Sequence, residues 1–118
     1  MNPDIRNYIK KTHQTEWIPL NEEGVDTKGV FVKVLRYDEL TKRAPTILLK
    51  FDPGASYPYH NHPGGEEVFV LEGSAIFEGE TMSVGDYLYT PPGFKHSVRT
   101  ESGCVLLFMV PEEVEIEK

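Results

Sequence analysis

Residues 54–66 read GASYPYHNHPGGE and residues 85–96 read GDYLYTPPGFKH, and these two segments guide the interpretation of the whole sequence. Short apolar runs surround them, and most of the runs end at glycine or proline. Many short strands with this punctuation are typical of an all-β sandwich or barrel. A βα alternation would need helical segments between the strands, and we find none in the sequence. The pattern therefore predicts an all-β fold.

Seven runs are predicted to be strands. They lie at residues 30–36, 46–51, 67–71, 75–77, 87–90, 96–100 and 104–110. A turn at residues 72–73 is expected to separate the third run from the fourth. A short helix is expected at about residues 3–11, with Asn2 as its cap and Pro3 at its first position. Trp17 is expected to pack a leading edge strand, from this chain or a partner, onto the barrel.

Side-chain alternation predicts the orientation of the run at residues 46–51. Successive side chains of a strand point to opposite faces, and a lysine such as Lys50 is expensive to bury. Ile47, Leu49 and Phe51 are therefore expected to face the core. Leu48 would then need cover from another strand or from another subunit.

Length and charge limit the architecture and the partners. The 118 residues fit one domain, which we divide into an N-terminal extension (1–28), a barrel (29–111) and an acidic tail (112–118). The formal net charge of −7 argues against nucleic-acid or anionic-membrane partners, which bind basic surfaces. No segment approaches the roughly 18 consecutive apolar residues of a membrane span.

Cys104 is the one cysteine of the sequence, and it lies within an apolar run. It is predicted to be buried, and no disulfide can form within the chain. The first residues contain no apolar segment typical of a secretory signal. A lone buried thiol without a signal predicts a cytoplasmic location.

Three histidines and one glutamate could meet at one point. His60 and His62 are two residues apart in an extended segment, which directs both imidazoles to the same side. A tight reversal at residues 63–65 could return Glu66 over that side, and His96 follows a rigid proline–glycine turn. Such a set suits one divalent transition metal ion, namely iron, zinc, manganese, nickel or copper. Calcium and magnesium prefer shells made of oxygen ligands alone.

The two opening segments resemble the two sequence motifs of the cupin superfamily. Residues 54–73 match the first motif, which is Gly, five residues, His-x-His, three or four residues, Glu, six residues, Gly. Residues 85–96 match the second motif, which is Gly, five residues, Pro-x-Gly, two residues, His. Residues 62–73 look most like the cupin domain of ChrR-type anti-sigma factors, and residues 17–20 and 24–25 fit that subgroup too.

This resemblance implies a cupin barrel, a double-stranded β-helix or jelly roll, with the metal ion held between two sheets. It implies His60, His62, Glu66 and His96 as the metal ligands. It also implies a homodimer, because cupins of this size commonly pair through edge strands.

Glu67 is the alternative to Glu66 as the carboxylate ligand. The motif spacing, counted back from Gly73, selects Glu66. Strand alternation then places Glu67 on the opposite face, where it would be a surface or interface charge.

The sequence departs from these families at two points. Thr100 stands where the second motif usually ends in Asn, a position that is not a ligand, so metal binding is expected to be unaffected. ChrR-type anti-sigma factors also carry a separate N-terminal sigma-binding domain. Residues 1–28 lack the His/Cys pattern of a zinc module, so sigma binding is not carried over.

The function expected first is a metal-dependent enzyme of the dioxygenase type that acts on a small organic molecule. Similar three-His, one-Glu cupins include quercetinase-like and small diketone dioxygenases. No catalytic acid or base can be assigned beyond Glu66 itself. The alternatives are a zinc-binding regulatory or sensor cupin like the ChrR domain, and non-catalytic binding of a small ligand. The enzyme is favoured because a free-standing cupin lacks a partner-binding module.

Overall fold

The structure is a computed structural model that describes residues 1–117. The last residue of the predicted acidic tail therefore lies outside the described residues. The described residues form ten strands, β1 Ile18–Pro19, β2 Val30–Asp38, β3 Arg43–Phe51, β4 Ser56–Asn61, β5 Glu66–Phe77, β6 Glu80–Ser83, β7 Tyr87–Thr90, β8 Lys95–Arg99, β9 Cys104–Met109 and β10 Glu115–Ile116. Within residues 1–117, no helix is long and apolar enough to cross a membrane.

All the strand pairings are antiparallel, in the order β1-β2-β3-β9-β5-β8-β4-β10. Strands β6 and β7 both pair with β5 in addition. The first part of β5 pairs with β9 and β7, and its last residues pair with β6 and β8. Strand β5 therefore passes from one layer of the barrel to the other. The predicted all-β jelly-roll fold is confirmed.

Strand β5 corrects one sequence-based prediction. The turn expected at residues 72–73 does not form, and the strand continues from Glu66 to Phe77. The pairing with β9 shifts register between Val70 and Glu72, which marks a bulge. Gly73 follows with φ +71°, and a Cβ there would overlap the carbonyl oxygen of Gly103. The glycine thus bends the strand and permits close backbone approach without ending the strand.

The short helical segment predicted at residues 3–11 is present only in a minor form. The structure contains two short 3₁₀ turns, Ile5–Tyr8 and Thr12–Gln14, and none of their residues is buried. The first turn is capped by Asp4, whose side chain accepts a hydrogen bond from the Arg6 amide. A longer helix would need its apolar face packed on the barrel, and Ile5, Tyr8 and Ile9 are each more than half exposed.

The interior of the barrel agrees with the alternation predicted for β3. Leu49 and Phe51 are buried in the core cluster, and Ile47 packs against it. Leu48 faces the other way but is only 7% exposed within the single chain. In the sheet register it lies between Lys33 of β2 and a leucine of β9, so neighbouring strands supply its cover.

Trp17 lies on the outer face of the sheet, next to the edge strand β1. Strand β1 pairs with β2, as expected for a leading edge strand. The Lys33 Nζ atom lies 4.6 Å from the centre of the Trp17 ring and donates a 2.7 Å hydrogen bond to the Thr12 carbonyl. The Lys50 Nζ atom lies 5.2 Å from the same ring. Cation–π contacts thus hold the N-terminal extension against the barrel.

Candidate metal centre

Four buried side chains converge at one point inside the barrel. His60 lies near the end of β4, His62 just after it, Glu66 at the start of β5 and His96 in β8. His60 and His96 are paired across β4 and β8. Each of the four residues is at most 3% exposed, and each offers one ligand atom within 4.8 Å of the others. The group could therefore hold a metal ion.

The reversal between His62 and Glu66 is fixed by backbone hydrogen bonds. The carbonyl oxygen of His62 accepts bonds from the amides of Gly65 and Gly93, at 3.1 and 3.0 Å. Gly65 has φ +78°, and a Cβ there would lie 3.0 Å from the carbonyl oxygen of Thr90. Glycine at this position lets the chain turn tightly enough to return Glu66 to the cluster.

Two imidazole rings are oriented by main-chain carbonyls. The Nδ1 atom of His60 donates to the carbonyl oxygen of Pro58 at 2.6 Å, and the Nδ1 atom of His62 donates to that of Phe94 at 2.7 Å. A carbonyl can only accept, so the proton of each neutral ring resides on Nδ1. The Nε2 lone pair is then free to bind a metal ion.

Three candidate ligand atoms of the cluster lack hydrogen-bond partners. The Oε2 atom of Glu66 lies 3.3 Å from Nε2 of His62, and its Oε1 atom lies 3.3 Å from Nε2 of His96. Even so, Glu66 Oε1 and the two Nε2 atoms make no hydrogen bond and are shielded from solvent. Buried polar atoms are normally satisfied. A metal ion bound here would satisfy all three atoms, so these residues are suited to hold a metal ion.

Burial and mutual contact set the charges of the cluster. Burial lowers the pKa of His60 to about 4, partly offset by its bond to the Pro58 carbonyl. Burial raises the pKa of Glu66, but the imidazoles of His62 and His96 lower it by more in total, so the net pKa is below its ordinary value. Glu66 is therefore a carboxylate at neutral pH. His60 is neutral, as a metal ligand must be.

The pKa of His62 shifts in the opposite direction to that of His60. Burial lowers its pKa, but the Glu66 carboxylate and the Phe94 carbonyl together raise the pKa above its ordinary value. A proton and a metal ion therefore compete for the same Nε2 atom.

The structure also places the residues that the sequence left in question. Glu67 lies outside the cluster, and its carboxylate accepts a 2.6 Å hydrogen bond from the hydroxyl of Tyr87. Thr100 is buried away from the four ligands, where its hydroxyl donates to the Ser74 carbonyl and accepts from the Gly103 amide. Thr100 thus supports the turn before β9.

A cavity of about 590 Å³ leads away from the cluster. It is lined by the buried His60 and Glu66, by apolar core residues, and by residues of the segments 20–25 and 110–116, of which Glu23 and Glu113 are exposed and mark its opening. Tyr57 and Glu22 also line it, and the Tyr57 hydroxyl donates a 2.7 Å hydrogen bond to Oε2 of Glu22. This volume is in the range of small-molecule sites.

Sequence reasoning did not assign Tyr57 or Glu22 to the site. Tyr57 is three positions from His60, so simple alternation would place the two side chains on opposite faces. The register of β4 against β8 shifts between these residues, and the irregularity directs both into the cavity. No local pattern in the sequence marks such a shift. Glu22 lies in an irregular segment, where alternation has no meaning.

Comparison with known proteins agrees with this geometry. The family described as "ChrR Cupin-like domain" matches residues 6–114. The dimethylsulfoniopropionate lyase DddQ of Ruegeria pomeroyi is 40% identical over 52 residues, which are 40% of this chain and 26% of the lyase. The chain thus spans about a quarter of that relative's length.

Solved structures agree with the fold. A candidate acetylacetone dioxygenase from Methylibium petroleiphilum PM1 superposes with a TM-score of 0.82 at 19% identity, covering 100% of this chain and 85% of that one. A polyketide cyclase from Streptomyces resistomycificus superposes with a TM-score of 0.71 at 23% identity, covering 93% of this chain and 84% of that one. Identities this low establish a shared fold and no more.

Proposed function

This chain belongs to the family of ChrR cupin-like domains, and we propose that it is a metal-dependent enzyme of the dioxygenase type that acts on a small organic molecule. The observation that carries the proposal is the cavity of about 590 Å³ that reaches His60 and Glu66. A purely structural zinc site is closed on all sides by its ligands and needs no such space.

We propose His60, His62, Glu66 and His96 as the ligands of one divalent transition metal ion. Iron, manganese, nickel or copper accommodates more than four ligands, so substrate and dioxygen would find open positions and a redox partner there. Zinc fits the same donors but offers no redox chemistry.

The residues of the cavity would orient the substrate, exclude water from it and keep the Tyr57 phenol protonated. Burial raises the pKa of the Tyr57 phenol well above its ordinary value, and the hydrogen bond to Glu22 raises it further. The phenol therefore stays protonated and acts as a hydrogen-bond donor instead of a base. Leu49, Phe51 and Phe108 form apolar walls that exclude water from the substrate's path.

The comparisons support an enzyme without fixing its reaction. The similar proteins include a lyase, a polyketide cyclase and a candidate dioxygenase. One fold commonly carries several reactions, which differ in the residues around the site.

A zinc-binding regulatory or sensor cupin is the second candidate. The family description favours it, because ChrR-type domains resemble this chain over residues 6–114. The sensor hypothesis predicts a tetrahedral zinc ion with no exchangeable water. It also predicts a protein partner that purifies with the chain. Non-catalytic binding of a small ligand in the same cavity is the third candidate.

A homodimer in the cytoplasm also remains a proposal. Phe69, Tyr87 and Tyr89 are exposed on neighbouring strands, and such apolar surface is common at subunit interfaces. The buried free thiol of Cys104 is compatible with a reducing compartment.

The test begins with elemental analysis of protein purified without added metal and without a histidine tag. About one iron, manganese, nickel or copper ion per chain would support the enzyme, and about one zinc ion would favour the sensor. The Fe(II)-loaded protein is then screened for substrate-dependent oxygen uptake with diketones, phenols and thiols. The zinc-loaded protein is the matched control. Absence of uptake with every class would count against the dioxygenase.

A further inference from the structure

The mouth of the cavity carries negative charge. Glu22, Glu23 and Glu113 line the cavity, and the exposure of Glu23 and Glu113 places them at its opening, whereas Arg43 is the one positively charged residue among the lining residues within the described chain. The guanidinium of Arg43 donates to the carbonyl oxygens of Val110 and Pro111 at 2.6 and 3.0 Å. Arg43 thus holds the C-terminal segment in place. These three carboxylates outnumber the one guanidinium, so this part of the lining keeps a net negative charge.

Glu22 is fixed in the wall by a buried phenol. Tyr57 is 8% exposed, and its hydroxyl donates to Glu22 at 2.7 Å. The Tyr57 ring meets the His60 ring edge to face, with 5.0 Å between the ring centres. One continuous line of contacts thus joins the carboxylate of Glu22 to the metal cluster. The carboxylate is a permanent part of the cavity, and apolar walls weaken the screening of its charge.

We propose that the cavity takes a small organic molecule whose end distal to the metal cluster is uncharged or cationic, and that Glu22 and Glu113 exclude molecules with a distal carboxylate. This inference rests on the proposed function, because the metal site defines which end of the molecule is distal. A carboxylate at the mouth would meet like charges in a partly desolvated space. An apolar alkyl group of the ligand would contact only the apolar walls, so its binding would carry no electrostatic cost.

Two matched probes test the proposal on the zinc-loaded protein, where no oxidation can occur. The probes are heptane-2,4-dione and 4,6-dioxoheptanoate, in which a carboxylate replaces the terminal methyl group. Isothermal titration calorimetry measures the dissociation constant of each probe. We expect the neutral diketone to bind about tenfold tighter or more, the ratio that corresponds to ~1.4 kcal/mol. High salt should reduce the ratio.

Substitutions assign the discrimination to particular carboxylates. Glu22→Gln keeps an acceptor for the Tyr57 hydroxyl but removes the charge, and Glu113→Gln removes the second charge. Each is expected to tighten binding of the anionic probe several-fold relative to the neutral probe, so that the ratio of the two dissociation constants falls. Glu112→Gln is the control, because Glu112 belongs to the same segment but does not line the cavity. It should leave both constants unchanged.

The outcomes separate this inference from the proposed function. Equal or tighter binding of the anionic probe, or an equal effect of Glu112→Gln, would overturn the inference and leave metal-dependent catalysis standing. Failure of both probes to bind would also overturn it. The predicted discrimination without oxygen uptake by the iron-loaded protein would support the inference and reject the dioxygenase.

Discussion

Glu66 and Glu67 are adjacent in the sequence but lie on opposite faces of β5. Glu66 points into the cluster of three histidines, where it is 3% exposed, whereas the Glu67 carboxylate bonds the Tyr87 hydroxyl on the outer face. Glu67 can therefore serve as an internal control for the role of Glu66. The two carboxylates are consecutive in the sequence but lie on opposite sides of the sheet.

The first prediction uses this comparison. Glu66→Gln removes the one carboxylate of the cluster and should weaken metal binding by at least about tenfold, because even indirect neighbours of metal ligands contribute 10–100-fold. Glu67→Gln should retain the metal content of the unchanged protein. Elemental analysis and competition with a chelator measure both. Loss of metal in Glu67→Gln with retention in Glu66→Gln would reverse the assignment.

The second prediction concerns Thr100. Thr100→Val keeps the shape but removes the hydroxyl that bonds Ser74 and Gly103, and unfolding free energy should fall by about 1–3 kcal/mol. Thr100→Ser keeps the hydroxyl and should lose about 1 kcal/mol or less. Urea unfolding followed by circular dichroism measures the difference. Metal content should not change in either variant, and a loss of metal would show that Thr100 serves the site.

The third prediction concerns the bulge in β5. Gly73→Ala places a Cβ against the Gly103 carbonyl at a positive φ, and should cost about 3 kcal/mol or more, or prevent folding. Gly79 also has a positive φ, +82°, but a Cβ there meets nothing within 4 Å. Gly79→Ala should therefore cost only about 1–2 kcal/mol. Thermal unfolding of the two variants under identical conditions compares them, and equal losses would contradict the close approach at Gly73.

The fourth prediction concerns the thiol of Cys104. Burial raises its pKa to about 11, partly offset by the Thr100 hydroxyl and the Phe51 backbone. Because the pKa is raised, the thiol is almost entirely protonated near neutral pH, and only the thiolate reacts. At pH 8 a thiol-specific disulfide reagent should react at least about a hundredfold more slowly than with an unperturbed cysteine. Protein unfolded in guanidinium should react fully, and rapid labelling of the folded protein would disprove the burial.

The sequence was most informative where alternation and motif spacing act together. It predicted the all-β fold, the inward face of β3, and the residues that meet in the cluster. It failed where the backbone departs from regular alternation. The bulge after Val70 was interpreted as a turn, and the shift between Tyr57 and His60 concealed the phenol that lines the cavity.

Tertiary context decides the remaining features. Strand β6 is short and mostly exposed, so no apolar pattern in the sequence predicts it. It forms because a two-residue hairpin turn at residues 78–79 pairs it with β5. The N-terminal segment had local signals for a helix, but its apolar residues Ile5, Tyr8 and Ile9 stay exposed and do not pack on the barrel. Glu22 reaches the cavity only because the extension folds back over the barrel, a contact that no local rule foresees.

The cavity mouth is formed by segments outside the strands that carry the four candidate ligands. Residues 20–25 precede the barrel and residues 113–116 follow β9, whereas the histidines and Glu66 lie in the middle of the chain. Changes at Glu22, Glu23 or Glu113 can thus alter which molecules enter, whereas Glu115 and Ile116 pair with Asn61 and His60 and help to hold β4 in place. Selection could diversify the accepted molecules by varying the three glutamates, and an engineer could do the same. An affinity tag attached near either segment would therefore alter which molecules enter the cavity.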